Sequence, residues 1–147
     1  MASPRIEHVN ITVSDPERAA DLMKELFGWH VRWDGPARAG GRTIHVGSDD
    51  HYLALYAAPD TASAYAFAQG TPLNHIGIQV DDLAAVEARV IAAGFQPRFQ
   101  GVYEPGPAHF YFCDHDGIEY EIVHYPASAC PPAEAEVARK SGWEGTE

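Results

Sequence analysis

Apolar and polar residues alternate along the first stretch of the chain. Val9, Ile11 and Val13 fall on one side, and His8, Asn10 and Thr12 on the other. That period of two predicts a half-buried strand over residues 6–13. The period then becomes helical. Ala19, Leu22, Met23, Leu26 and Phe27 recur at helical spacing. Asp15 opens the helix as N-cap, Pro16 fits its first turn, and Gly28 closes it. Three more strands are predicted over residues 29–33, 42–46 and 52–56, with turns marked by Gly35-Pro36 and Gly40-Gly41.

Residues 57–72 lose the alternation and read as a connector with one helical turn over 64–68. The first pattern then returns. His75-Ile76-Gly77-Ile78-Gln79-Val80 repeats His8-Val9-Asn10-Ile11-Thr12-Val13, and Asp81-Asp82 repeats Ser14-Asp15. A helix carrying Leu83, Val86, Val90 and Ile91 ends at Gly94, and strands follow over 96–100, 109–113 and 119–125. His75 lies 67 residues after His8, and the same offset lays Leu53-Ala54-Leu55 on Tyr120-Glu121-Ile122. This is a duplicated unit. One helix and four strands cannot cover both faces of their sheet, whereas two units together can. The predicted fold is α+β: two βαβββ modules forming a curved mixed β-sheet cup with helices outside. One domain spans residues 5–126, made of repeats 5–57 and 73–126. Residues 127–147 form a C-terminal tail with a short helix over 133–140.

Composition narrows the partners. A formal charge of −11 over 147 residues argues against a phosphate-backbone binder and for a small-molecule substrate. No apolar run approaches a membrane span, and no charged-then-apolar leader precedes the first strand. Two cysteines, Cys113 and Cys130, are too few for a disulfide framework and read as reduced thiols. The expectation is a cytoplasmic protein, with no nucleic-acid or membrane partner, that assembles as a homodimer.

Alternation also assigns faces. Val9, Ile11, Val13, Leu53, Leu55, Ile76, Ile78, Val80 and Ile122 should face the helices. The opposite, polar face holds His8, Asn10, Ala54, Tyr56, His75, Gln79, Glu119 and Glu121. A mid-strand carboxylate among apolar residues needs a cation, a proton or a metal, because a buried unpaired charge is expensive. His8 and His75 are equivalent in the repeat, as are Ala54 and Glu121, so the pseudo-twofold brings all four together. Two imidazoles and a carboxylate with open positions suit one divalent metal ion: Fe, Mn, Zn, Ni or Co. Asn10, Ala54, Tyr56, Gln79 and Glu119 then line the substrate space. The remaining histidines show no such pairing, and His51 and His115 fall in solvated turns.

On these residues the chain resembles the vicinal oxygen chelate superfamily, which includes glyoxalase I, bleomycin-resistance proteins, fosfomycin-resistance thiol transferases and extradiol dioxygenases. The family's metal turn reads D-P-D-G-x-x-x-E, and residues 114–121 read D-H-D-G-I-E-Y-E. The resemblance covers residues 5–126 and implies paired βαβββ modules with a metal held by His8, His75 and Glu121. Ala54 departs from it, since glyoxalase I-like members carry a fourth ligand there. Dioxygenases and the fosfomycin transferases place a tyrosine ten residues before the last ligand, which implies a catalytic Tyr111. If Tyr111 faces the cup, His109 and Cys113 face it too, and Phe110 and Phe112 turn to the helices. The expected activity is that of a metal-dependent glyoxalase- or dioxygenase-like enzyme on a substrate with vicinal oxygens. Extradiol cleavage and isomerase or lyase chemistry both fit, with Tyr111, His109 or Glu119 to move protons. The alternative is a metal-free drug- or metabolite-binding protein of the bleomycin-resistance type. Thiol transfer ranks lower, because residues 103–108 lack the transferases' Ser- and Asp-rich loop.

Overall fold

In the computed structural model, which describes residues 3–38, 40–59 and 67–127, the alternating stretch forms β1 (His8–Thr12). The helical stretch forms α1 (Pro16–Phe27), with the Asp15 carboxylate accepting from Arg18 N. Gly28 ends it at φ 66°, a conformation that costs glycine no Cβ clash. Strands β2 (His30–Pro36), β3 (Arg42–Gly47) and β4 (Tyr52–Ala57) complete the first module. The second repeats the order: β5 (Ile76–Gln79), α2 (Leu83–Ala92), β6 (Arg98–Val102), β7 (Ala108–Cys113) and β8 (Glu119–His124). Asp82 caps α2 as Asp15 caps α1.

The eight strands fall into two four-stranded sheets, ordered β1-β4-β3-β2 and β5-β8-β7-β6. Each first strand runs parallel to its module's last, with helix and strands in the crossover, as a parallel pair requires. The register carries the repeat: Asn10 lies opposite Ala54, and Gly77 opposite Glu121. The architecture is the α+β pair of βαβββ modules expected from the duplicated pattern.

The helices cover one face of each sheet. Ile11, Val13, Leu22, Met23, Leu26, Ile44, Val46 and Leu55 are buried in the first module. Ile78, Val86, Val90, Phe110, Phe112, Tyr120 and Ile122 are buried in the second. Three expected core positions differ. Val9 is 36% exposed, and Ile76 and Val80 are only half-buried. Val9 and Ile76 belong to β1 and β5, and Val80 directly follows β5. Among the described residues these two are edge strands that border a cavity rather than another strand. On α2, Ile91 is exposed because it lies off the stripe that buries Val86 and Val90.

Among the described residues, polar contacts at two places tie the modules together. Asp116, in the β7–β8 turn, accepts from Ser14 N at 2.9 Å and from Ser14 Oγ at 2.5 Å, just after β1. Arg89 Nε of α2 donates to the Leu26 carbonyl of α1 at 2.9 Å. The same turn needs Gly117: its φ is +76°, and a Cβ there would overlap Gln69. Expectations for residues 64–66, Cys130, the helix over 133–140 and nearly all of the tail lie outside the described residues.

Asp114 opens this turn and accepts from Asp116 N and Ile118 N. Burial dominates those bonds and raises its pKa to about 6. The folded state therefore holds the Asp114 proton more tightly than the unfolded chain does. That stability is complete below about pH 4 and lost as pH rises through about 6. Asp114→Asn keeps the acceptor oxygen and removes the charge. Equilibrium unfolding at pH 7 should show the variant more stable by on the order of 1–3 kcal/mol, with the gap closing near pH 4. A less stable variant at pH 7 would mean that the ionised carboxylate is net favourable.

Candidate metal centre

His75 lies immediately before β5, where the chain enters the second sheet beside β8. Its Nε2 is 3.0 Å from Glu121 Oε2. Its Nδ1 is 2.7 Å from Asn74 Oδ1. Glu121 is largely enclosed, with 16% of its side chain exposed. A Cβ built on Gly77, opposite Glu121, would meet nothing within 4 Å, so the pair faces open space.

Tyr111 stands opposite Glu121 on β7. Its ring meets His75 edge-on at 5.5 Å. Its hydroxyl lies 2.7 Å from that of Tyr103 and is bonded to Glu121. Burial, then these hydrogen bonds, hold its pKa well above the usual tyrosine range. The Tyr111 hydroxyl thus keeps its proton at neutral pH. The conditional placement of its neighbours follows the strand alternation: Phe110 and Phe112 are fully buried toward the helix side, while His109 and Cys113 share the face of Tyr111. His109 is 8% exposed and stacks on Tyr103 at 3.8 Å, with no hydrogen-bond partner for Nδ1.

Glu119 is engaged elsewhere. Arg98 Nη2 donates to Cys113 Sγ at 2.6 Å and reaches Glu119 Oε2 at 3.4 Å. Cys113 is a free thiol whose pKa burial pushes up. Gln79 lines the cavity near β5, and Asn10 is exposed on β1. Tyr56 donates to the Gly40 carbonyl at 3.3 Å, away from the pair. Ala54 is 3% exposed between its cross-strand partners His45 and Asn10, so its methyl is enclosed.

His8 sits across from this group. Its Nδ1 is bonded to Glu7 Oε2, and its ring stacks on Tyr52 at 4.9 Å. Both His8 and His75 line one cavity of about 900 Å³ between β1 and β5. Among the described residues no three His, Cys, Asp or Glu side chains converge as a metal set. His75 and Glu121 form the pair, and His8 stands on the opposite wall.

The pair offers a divalent ion two donors, an imidazole nitrogen and a carboxylate oxygen. An imidazole whose Nδ1 meets an amide oxygen presents Nε2 outward, and Nε2 here faces a carboxylate oxygen. A cation between them would satisfy both atoms.

The repeat pairing, which left His45 without a counterpart, missed a ring stripe across the first sheet. Trp33, His45, Tyr52 and His8 come from β2, β3, β4 and β1, with successive centroids 5.2, 4.6 and 4.9 Å apart. Arg32 covers Tyr52 at 4.5 Å. Burial lowers the His45 pKa, helped by His8 and Arg32. The missed signal was the alternation of β3 itself, which puts His45 on the cup face with Thr43.

The sequence model of the Glyoxalase/Bleomycin resistance protein/Dioxygenase superfamily matches residues 5–122. The chain belongs to this superfamily. Among solved structures, a glyoxylase/bleomycin resistance protein/dioxygenase domain from Frankia sp. EAN1pec is 20% identical with a TM-score of 0.72, over 84% of this chain and 98% of that one. TnmS3, an antibiotic binding protein from Streptomyces sp. CB03234, is 24% identical with a TM-score of 0.65, over 84% and 98%. The fosfomycin resistance protein FosX from Listeria monocytogenes, complexed with Mn(II) and sulfate ion, is 14% identical with a TM-score of 0.65, over 88% and 98%. At these identities the likeness establishes the superfamily fold. No curated protein matches the chain in sequence. Among the described residues, no helix is long and apolar enough to cross a membrane.

Proposed function

We propose that this superfamily member is a divalent-metal-dependent enzyme acting on a small substrate with two adjacent oxygens. The observation that carries this reading is the His75–Glu121 pair at 3.0 Å, beside a tyrosine held in its protonated form. His75, Glu121 and, from the opposite wall, His8 would hold the ion. When bound, it would supply Lewis-acid polarisation of the substrate oxygens and, as iron, redox chemistry with dioxygen.

The chain's own groups divide the proton work. Tyr111 donates a hydrogen bond or proton to a developing oxyanion and is no base at neutral pH. Glu119 is occupied by Arg98. That leaves His109, directly beneath Tyr103, as the group to accept a proton in an isomerase or lyase reaction. Gln79 on the cavity wall and Asn10, exposed on β1, would serve as orienting contacts.

The assembly is proposed as a homodimer. Among the described residues β1 and β5 are sheet edges, and Ile6 beside β1 is 79% exposed. Sedimentation should give twice the 16.0 kDa chain mass. The setting is the cytoplasm, where Cys113 stays reduced.

The deciding experiment loads the metal-free protein with Fe(II) anaerobically, adds a panel of catechols and admits oxygen. Ring-opened yellow product selects the extradiol reaction. No turnover with Fe(II), but proton exchange in D₂O with Mn(II), Co(II) or Ni(II), selects the isomerase or lyase. A second reading has its own support in the 900 Å³ cavity, which apolar residues of both sheets help to line. Tight binding of a drug-like ligand by metal-free protein, without turnover under any metal, would replace the enzyme with a sequestering protein.

A further inference from the structure

The two histidines of the proposed metal set share more than their place in the repeat. Each is preceded by a residue whose side-chain oxygen meets its Nδ1. Glu7 Oε2 meets His8 Nδ1, and Asn74 Oδ1 meets His75 Nδ1 at 2.7 Å. Glu7 and Asn74 are themselves equivalent under the 67-residue offset that relates His8 to His75. The hydrogen bond is therefore duplicated with the module, although the residue type is not.

The contact has a chemical consequence. A neutral imidazole carries its proton on one nitrogen and its lone pair on the other. An acceptor at Nδ1 keeps the proton there and turns the Nε2 lone pair outward. At His75 that nitrogen faces Glu121. Glu7 is held in turn by neighbours: the Tyr52 hydroxyl bonds to it and Arg32 lies nearby. Ser48 O accepts from Arg32 Nη1 at 3.2 Å, which anchors that arginine above Tyr52.

We infer that Glu7 and Asn74 are positioning residues that fix the Nδ1–H form of His8 and His75 and so present both Nε2 atoms to a divalent cation. The two are not equal. Glu7 brings a carboxylate oxygen to His8, whereas Asn74 orients His75 through an amide oxygen. This rests on the metal reading above and assigns a role to two residues outside the ligand set.

The test compares Glu7→Leu and Asn74→Leu with the acceptor-keeping variants Glu7→Gln and Asn74→Asp. Mn(II) affinity by titration calorimetry should fall about 10–100-fold in each leucine variant and recover to within a few-fold in its partner. The imidazole ¹⁵N spectrum of the Zn(II)-loaded protein is the second readout. A bonded Nδ1–H should be visible for His8 and His75, lost at His8 in Glu7→Leu and at His75 in Asn74→Leu. Circular dichroism checks that every variant is folded. Wild-type affinity in both leucine variants overturns the inference while leaving the metal reading intact. So does an equal loss in leucine and acceptor-keeping variants, because that marks a packing role. No Mn(II) or Zn(II) uptake by the wild type overturns the metal reading and this inference together.

Discussion

Glu121→Ala is expected to abolish stoichiometric metal uptake without unfolding the protein. Glu121 supplies the only carboxylate within bonding distance of His75, at 3.0 Å, among the described residues. Its removal leaves one imidazole on that wall and His8 on the other, a set too weak to hold Mn(II) or Fe(II) against water. The loss should exceed the ~10–100-fold that an outer-shell partner costs. The fold should survive, because Ile122 and Tyr120, not Glu121, pack into the core of β8. His75→Ala should behave alike. His8→Ala separates two arrangements: equal loss makes His8 the third ligand, and unchanged affinity leaves a two-residue site on the second module. Ligands must be deprotonated to bind, so wild-type uptake should also weaken in acid. Metal analysis after dialysis measures all of this, and full occupancy in Glu121→Ala would remove that residue from the set.

The parts of this arrangement that were legible in the sequence are those set by local chemistry or by the repeat. Asp15, Asp82 and Gly28 fixed helix ends through caps that depend on a few neighbouring residues. The 67-residue offset made Ala54 and Glu121 equivalent, and the structure agrees, pairing Ala54 with Asn10 and Glu121 with Gly77 in one inherited register. Alternation tied Tyr111 to the face opposite Phe110 and Phe112 but left the phase of β7 open, and the structure turns the two phenylalanines inward.

What stayed illegible depends on distant neighbours. The contact of Tyr103 with His109 and Tyr111 needs the path of residues 103–107, where Tyr103 N bonds to Pro107 O. The ring stripe through His45 needs the β2–β3 register, which a bulge between Val31 and Trp33 shifts. The exposure of Val9 follows from the gap between β1 and β5, since the alternation within β1 is the same whether or not a strand pairs beside it. Asp114 reads as an ordinary turn aspartate, and only the packed turn around it reveals its burial.

Tyr111→Phe is expected to separate chemistry from metal binding. The change deletes one hydroxyl and keeps a ring of the same shape, so the edge contact with His75 persists. Metal affinity should stay within about twofold of wild type, because the hydroxyl is no ligand in the proposed set. Turnover should not be spared. The hydroxyl is poised between Tyr103 and Glu121 with its proton held against ionisation. A positioned donor of this kind contributes on the order of 10²–10⁴-fold in rate. Because the Tyr111 pKa is raised, its ionisation should not impose an alkaline limb on the wild-type rate below about pH 10, the ordinary tyrosine value. Tyr103→Phe should cost less, since it removes a partner of the donor rather than the donor. The measurement is kcat beside metal affinity on the same preparations, with whichever substrate the assay panel identifies. A kcat within about threefold of wild type in Tyr111→Phe would return Tyr111 to a packing role. The proton transfer would then fall to His109, the imidazole on this face of β7.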